Sequence, residues 1–369
     1  MDFRPSGAQQ LLVSTAREFL RHDCPIELVQ RQALDPRGFD EALWRRTAAL
    51  GWPGLLVPPD LGGSGGSLLD MVLLVEEMGR ACLPGPFVAS AVVATSLLLA
   101  GANEAQRTRL LPALAAGERI ATLALVEESG AIDPGALALA CDVPGRLSGT
   151  KLFVKDAHVA DDLIVAVRED AGPSLVLLPR ARAGIGLQPL DPITAEKLFA
   201  VTFDGVAVGG DERLGPAGGG AELLAPALRA GALARTAEMV GAAQRIVELA
   251  VEHVRTRVQG GRPIGGYQAI QHAAADLVRD VDASRGLLYA AAWTAAEGLP
   301  AEADVAMAKA YAAEACLAVA RRGHQMFGAI GYCEEHPLHL LHKRIQAASQ
   351  EFGDAPHYLE IVARAIGLA

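Results

Sequence analysis

The sequence predicts an α+β chain that is mostly α, with an N-terminal helical domain over residues 1–118, a small β domain over 119–212 and a C-terminal antiparallel helical bundle over 213–369. Three observations predict it. Apolar residues recur every three or four positions at both ends of the chain, as helices with one buried stripe require. Between them, short runs rich in Val, Leu and Phe are separated by Pro-Gly, Gly-Pro and Asp-containing turns, the mark of strands. Gly, Ala and Leu are abundant while aromatics make up 5% of residues, a composition suited to helices packed closely through small side chains.

In the first domain, "GAQQLLVSTAREFL" places Leu11, Leu12, Thr15 and Phe19 on one stripe, and "SLLDMVLLVEEMGRAC" and "EAQRTRLLPALAAG" behave alike. "GWPGLLVPPDLGGSGG" is a loop by its Pro and Gly content. Its "GGSGG", residues 62–66, lacks the Lys-Ser/Thr that completes a phosphate-binding loop, so it is read as a turn. The middle domain takes its strands from "ALALACDVPGRLSGTKLFVKDA", "DDLIVAVR", "PSLVLLPR" and "FAVTFDGVAV". After the Gly-rich "LGPAGGGAE", a long helix carries Met239, Val240, Ala243, Ile246, Val247, Ala250, Val254 and Val258 as a buried stripe. Helices over about 267–297 and 301–328 follow as an antiparallel bundle.

A chain of 369 residues exceeds one average domain and buries a large core. The formal charge of −10 and the absence of a Lys/Arg run exclude nucleic acid as the main partner. No run of about 18 apolar residues occurs, and the N-terminus lacks a basic segment followed by an apolar one, which predicts a soluble, cytoplasmic chain with no membrane partner. The five cysteines, Cys24, Cys82, Cys141, Cys316 and Cys333, are odd in number and far apart, so reduced thiols in or near the core are expected.

Five stretches then occur in order: "LGWPGLLVPPDLGGSGGSLLDMVLLVEEMGRACLPGPF", "LSGTKLFVKDAHVADDLIVAV", "RVQGGRPIGGYQAIQH", "HQMFGAIGYCEEHPLHLLHKR" and "EFGD". Together they make the chain resemble the acyl-CoA dehydrogenase family over nearly its whole length. The resemblance implies a subunit of α-domain, β-domain and α-bundle that forms dimers or tetramers, with FAD as cofactor and an acyl-CoA thioester as substrate. It also implies an electron-transfer flavoprotein as a redox partner. Such chemistry needs a carboxylate for the weakly acidic α-proton, a flavin for the β-hydride and donors for the thioester oxygen.

In the family the base is commonly a glutamate in a Glu-Gly-Thr segment. Here Phe352 occupies that position, between Glu351 and Asp354. The other family position, on the first bundle helix, corresponds to Gly231. Two readings of the segment stay open: Asp354, or less readily Glu351, as a displaced base, or Asp354 as the N-cap of a last helix with Pro356 in its first turn. The flavin-ring segments also depart from the family. Val126-Glu127-Glu128 stands for Thr-Glu-Pro, and Phe153-Val154-Lys155 for Trp-x-Thr, so Lys155 replaces a threonine at the ring. The segments that reach a neighbouring subunit's FAD are closer to the pattern. Arg257 matches the pyrophosphate arginine, with Gln259 beside it, and Gln325, Gly328 and Gly331 match the loop at the adenine half, while Gly260 and Ala329 depart from it.

These departures suggest a base-lacking partner in a heteromer, such as a heterotetramer, whose homologous subunit holds flavin ring and base. Known heteromers of this kind act on bulky acyl groups such as steroid side-chain thioesters. The alternatives are a self-sufficient homomer using Asp354 or Glu351, and a flavin-free acyl-CoA-binding or structural subunit. His336, His339 and His342, with Glu334 and Glu335, recur at spacings that drift around a helix and are interrupted by Pro337, so no metal site is expected there.

Overall fold

The computed structural model describes residues 5 to 368. Six α-helices open the chain: α1 (Gly7–Asp23), α2 (Ile26–Leu34), α3 (Glu41–Ala49), α4 (Leu68–Ala81), α5 (Thr95–Gly101), preceded by a π-helical stretch Val88–Ala94, and α6 (Glu104–Ala115). Helices α1, α4 and α6 start with reciprocal caps, Ser6 with Gln9, Ser67 with Asp70 and Asn103 with Gln106, which satisfy backbone donors that a helix start leaves unpaired. The buried face of α1 lies one position from the expected stripe. Ala16 and Leu20 are its buried residues, whereas Leu11 is 67% exposed and Thr15 faces solvent. Leu12, Ala16, Phe19 and Leu20 form the face that meets the core, as i, i+4, i+7 geometry also allows.

The "GGSGG" turn folds back on its own loop. Ser64, Gly65 and Gly66 donate their N–H groups to the carbonyls of Gly54, Val57 and Leu55, so these donors are spent internally.

The middle unit holds two sheets. One has strand order β1 (Ala121–Ala124), β3 (Asp162–Glu169), β4 (Gly172–Pro179) and β7 (Arg213–Leu214); the other has β2 (Gly145–Lys155), β6 (Leu198–Val208) and β5 (Ile185–Leu190). Strand β1 runs parallel to β3, with Ala121 opposite Asp162. Residues 136–141, expected as the start of a strand, are tied to the sheet only by a bridge from Ala140 to Arg168. A register shift in β2 between Lys151 and Val154 puts Phe153 at φ +55° and turns its ring outward, 55% exposed.

Helix α7 (Gly220–Thr256) is the axis of the last unit, with α8 (Gln268–Ala296), α9 (Glu302–Phe327), α10 (Leu338–Gln350) and α11 (Ala355–Ala365) after a small hairpin, β8 (Val258–Gln259) and β9 (Arg262–Pro263). The expected stripe holds from Met239 to Val254, but the helix ends at Thr256, and Val258 lies in the hairpin, 58% exposed. Over Ala230–Ala243 the helix is buried on every side, because α4, α9 and α10 surround it. Its approach to α4 depends on two glycines. A Cβ on Gly241 would lie 1.9 Å from the Glu76 carbonyl oxygen, and one on Gly79 would lie 2.3 Å from that of Glu238. Cys24, Cys82, Cys141 and Cys316 are buried thiols and Cys333 is exposed. Among the described residues no helix is long and apolar enough to cross a membrane.

Candidate functional site

Two cavities meet where the β unit faces the bundle. The inner one, about 410 Å³, is lined by Leu123, Leu125, Val126, Phe153, Lys155, Glu196, Glu351 and Phe352. The outer one, about 900 Å³, is lined by Leu228, Arg229, Val305, Asp354, His357, Ile361 and Arg364. Gly130, Ile132, Gln350 and Phe352 line both and form the wall between them.

Phe352 is the centre of that wall. Its ring abuts the backbone of α7 where Gly231 has no side chain, and a Cβ at Gly231 would lie 2.8 to 3.0 Å from the ring carbons. The two positions at which the resemblance expects a base therefore face each other, filled by one aromatic ring over one glycine. Phe352 sits at φ +60°, which for a non-glycine residue costs about 1–2 kcal/mol and persists only where its surroundings fix it.

Those surroundings are the two carboxylates on either side. Asp354 is the N-cap of α11: its carboxylate accepts from the His357 N–H at 3.0 Å, with Pro356 in the first turn. It lines the outer cavity and not the inner one. Glu351 faces the inner cavity, with Lys155 Nζ at 3.3 Å and Arg235 Nε at 2.8 Å from its Oε2. The Arg235 contact is ionic rather than an aligned hydrogen bond. The Tyr358 hydroxyl donates to the Phe352 carbonyl at 2.7 Å and completes the clamp.

Beneath the inner cavity lies a charge lattice absent from the sequence reading. Arg235, one turn beyond Gly231 on α7 and 1% exposed, pairs with Glu196 at 2.5 Å and with Glu238. Lys155 pairs with Glu196 at 2.6 Å, and Arg344 with Glu238 at 3.0 Å. Three cations, Lys155, Arg235 and Arg344, thus balance three carboxylates, Glu196, Glu238 and Glu351. Burial alone would raise Glu196, but Arg235, Lys155 and Arg344 outweigh it and hold the carboxyl far below its ordinary range. For Arg235 burial works against the charge, and Glu196, Glu238 and Glu351 overcome it. Two buried neighbours lack such compensation. Burial pushes Asp156 up to about 7, and burial followed by repulsion from Arg235 brings Lys309 down to about 7. Lys309 donates to the Ala348 carbonyl.

The lattice had one legible signal: Arg235 and Glu238 are a charged i, i+3 pair inside the otherwise small and apolar run "AGALARTAEMVGAA". Glu196 and Arg344 gave none, because only tertiary folding brings them near.

The inner cavity fits a flavin ring poorly. At position 126 an isopropyl group replaces the expected hydroxyl, and the Val126 carbonyl is used by the Leu152 N–H. At position 155 the ammonium is committed to Glu196 and Glu351, and the nearby Thr122 hydroxyl donates to the Lys155 carbonyl. Glu127 is structural too. It accepts from the Ala138 and Leu139 N–H groups and pairs with Lys151 at 2.6 Å.

The outward-facing set fits a phosphate-bearing group better. Arg257 ends α7 with its backbone pinned by hydrogen bonds to His253 and Ile264 while its side chain is exposed, as are those of Gln259 and Gln325. A guanidinium so presented can form paired hydrogen bonds to phosphate. Tyr267 steadies the hairpin by donating to the Gln259 carbonyl at 3.1 Å, with Arg262 stacked over its ring. Gly328 has φ +67° and ψ −143°, a conformation closed to other residues, and nothing lies within 4 Å of where a Cβ would stand. Gly331 differs: it is buried, and a Cβ there would meet Phe327 and Leu338, so its role is packing. The nearby histidines pack against other rings, His324 stacked on Tyr332 and tilted against His342, His336 tilted against Phe327, and among the described residues no three metal-ligating side chains converge.

Comparison with known proteins identifies this architecture. The acyl-CoA dehydrogenase N-terminal domain matches residues 6–118 and the acyl-CoA dehydrogenase C-terminal domain residues 218–367. The chain is 30% identical to acyl-CoA dehydrogenase IpdE2 of Mycobacterium tuberculosis, over 94% of this chain and 93% of that protein. The solved ChsE4–ChsE5 complex from Mycobacterium tuberculosis has a chain with TM-score 0.92 and 29% identity, covering 100% of both. A glutaryl-coenzyme A dehydrogenase bound to glutaryl-CoA gives TM-score 0.95 at 26% identity, covering 100% of this chain and 98% of that one. The fold and the two matching domains define an acyl-CoA dehydrogenase scaffold. The chain belongs to the acyl-CoA dehydrogenase family, oxidoreductases that act on CH–CH bonds.

Proposed function

We propose that this chain is the base-lacking subunit of a heteromeric, FAD-dependent acyl-CoA dehydrogenase, and that it completes the cofactor site of a homologous subunit. The observation that carries this reading is the Phe352 ring seated on Gly231, which leaves neither base position with a carboxylate. When bound, FAD supplies the acceptor for the β-hydrogen of the thioester. This chain's contribution is binding and orientation. Arg257 holds the pyrophosphate, Gln259 and Gln325 flank it, and the open backbone at Gly328 admits the adenine half. The partner subunit supplies the ring contacts and the proton-abstracting carboxylate. The likeness to a complex of two chains and to a steroid acyl-CoA dehydrogenase supports a heterotetramer acting on a bulky acyl-CoA. An electron-transfer flavoprotein is a fitting acceptor for the electrons.

The test is the visible absorption spectrum of the chain purified alone and then with a homologous partner that has an intact Glu-Gly-Thr segment. A colourless chain whose complex carries flavin is expected. In that complex Arg257→Ala lowers FAD affinity about tenfold or more, the scale of a lost charge-assisted pair, without lowering the melting temperature. One flavin bound per isolated chain would refute the reading. It would favour a homomer in which Glu351, which lines the inner cavity as Asp354 does not, is the base.

A further inference from the structure

We propose that Phe352 is a fixed partition that keeps the acyl group of a bound thioester in the outer cavity and out of the inner one. This rests on the reading above of the chain as a subunit that performs no dehydrogenation itself.

The argument begins with the wall. Of the four residues shared by the two cavities, Phe352 alone carries a ring, and that ring reaches across to the bare backbone of Gly231. The backbone that carries the ring is held at three points: by Glu351 on Arg235 and Lys155, by the Asp354 cap on α11 and by the Tyr358 hydroxyl on the Phe352 carbonyl. The two carboxylates beside the vacant base position thus position the aromatic group that fills it. Gly353, at φ +110°, is closed against His357 and Tyr358, which leaves the segment little room to swing.

The chemistry of the two spaces differs in the same sense. The outer cavity combines Leu228, Val305 and Ile361 with Arg229 and Arg364, and also with Asp133, Glu302 and Asp354; two of these carboxylates are committed to the backbone N–H groups of Gly135 and His357, so an apolar chain meets the aliphatic wall and an anionic head the two guanidinium groups. The inner cavity is largely apolar, and its one ammonium is already tied to Glu196 and Glu351. A thioester held in the outer cavity therefore extends its acyl chain only as far as the Phe352 ring.

Calorimetric binding of acetyl-, octanoyl- and palmitoyl-CoA to the purified chain tests this. In the wild-type chain, affinity is expected to level off between octanoyl and palmitoyl. In Phe352→Ala the joined cavities bury about two more methylenes, and palmitoyl-CoA binds about tenfold tighter than octanoyl-CoA. Leu123→Trp fills only the inner cavity. It leaves the wild-type affinities unchanged and cancels the gain in Phe352→Ala. Phe352→Leu, a milder loss of volume, gives a gain of the same sign and guards against a variant that fails to fold. Three results overturn the proposal: equal chain-length profiles in wild type and both Phe352 variants, weakened binding in Leu123→Trp alone, or no thioester binding to the wild-type chain. None of these bears on flavin stoichiometry in the heteromer, so the two readings fail separately.

Discussion

Replacing Arg235 by methionine removes the one group that contacts all three carboxylates of the lattice, Glu196, Glu238 and Glu351. Lys155 and Arg344 remain, so the buried cluster changes from three against three to two cations against three carboxylates. Breaking a buried ion pair from one side costs roughly 3–5 kcal/mol, because the partner stays buried without its counter-charge. Unfolding entropy of about 2.1 cal/mol/K per residue gives roughly 0.8 kcal/mol/K for this chain, so the melting temperature should fall by about 4–6 °C. The pH dependence separates this cause from lost packing. In Arg235→Met one buried carboxylate loses its counter-charge, which disfavours its charged form in the folded chain. The penalty is full while that carboxylate is charged and fades as falling pH protonates it. Scanning calorimetry at about pH 8 and about pH 5 should show the gap to wild type narrowing in acid. Arg235→Met/Glu351→Gln, which leaves Lys155–Glu196 and Arg344–Glu238 as two complete pairs, should recover about half of the loss. A variant within about 1 kcal/mol of wild type at both pH values would refute the lattice as a coupled unit.

Lys309→Met should stabilise the chain near neutral pH, because burial and Arg235 disfavour the ammonium. The folded pKa of about 7 lies below the ordinary lysine value of 10.5. The unfolded chain therefore binds more protons between those values, and wild-type stability rises by up to about 1.4 kcal/mol per pH unit across that window. Urea unfolding at two pH values within it should show that slope in wild type and its loss in Lys309→Met. Gly241→Ala wedges a methyl 1.9 Å from the Glu76 carbonyl oxygen. A cost of about 3 kcal/mol or more is expected, seen as low soluble yield or early melting, since two helix backbones must separate.

Much of the helical frame was legible in the sequence because period and caps are local properties. The α7 stripe from Met239 to Val254 follows from spacing, and the Asp354 cap with Pro356 is one of the two readings that its segment left open. The limits of local reasoning show at helix ends and in packing direction. Val258 continues the period but lies beyond Thr256, where the chain turns into a hairpin. Leu11 fits a stripe whose true centre is Ala16 and Leu20, because the position of α4 selects the face.

The sequence by itself determined which side chains are missing: no carboxylate at 352 or 231, and no hydroxyl at 126 or 155. Only the tertiary structure decided what stands in their place. The Phe352 ring fills the hollow at Gly231, and Lys155, on the wall of the inner cavity, is tied to Glu196 and Glu351. Residues 155, 196, 235, 238, 344 and 351 share no spacing rule. They meet because a buried charge finds its free-energy minimum only with counter-charges that folding delivers from distant segments.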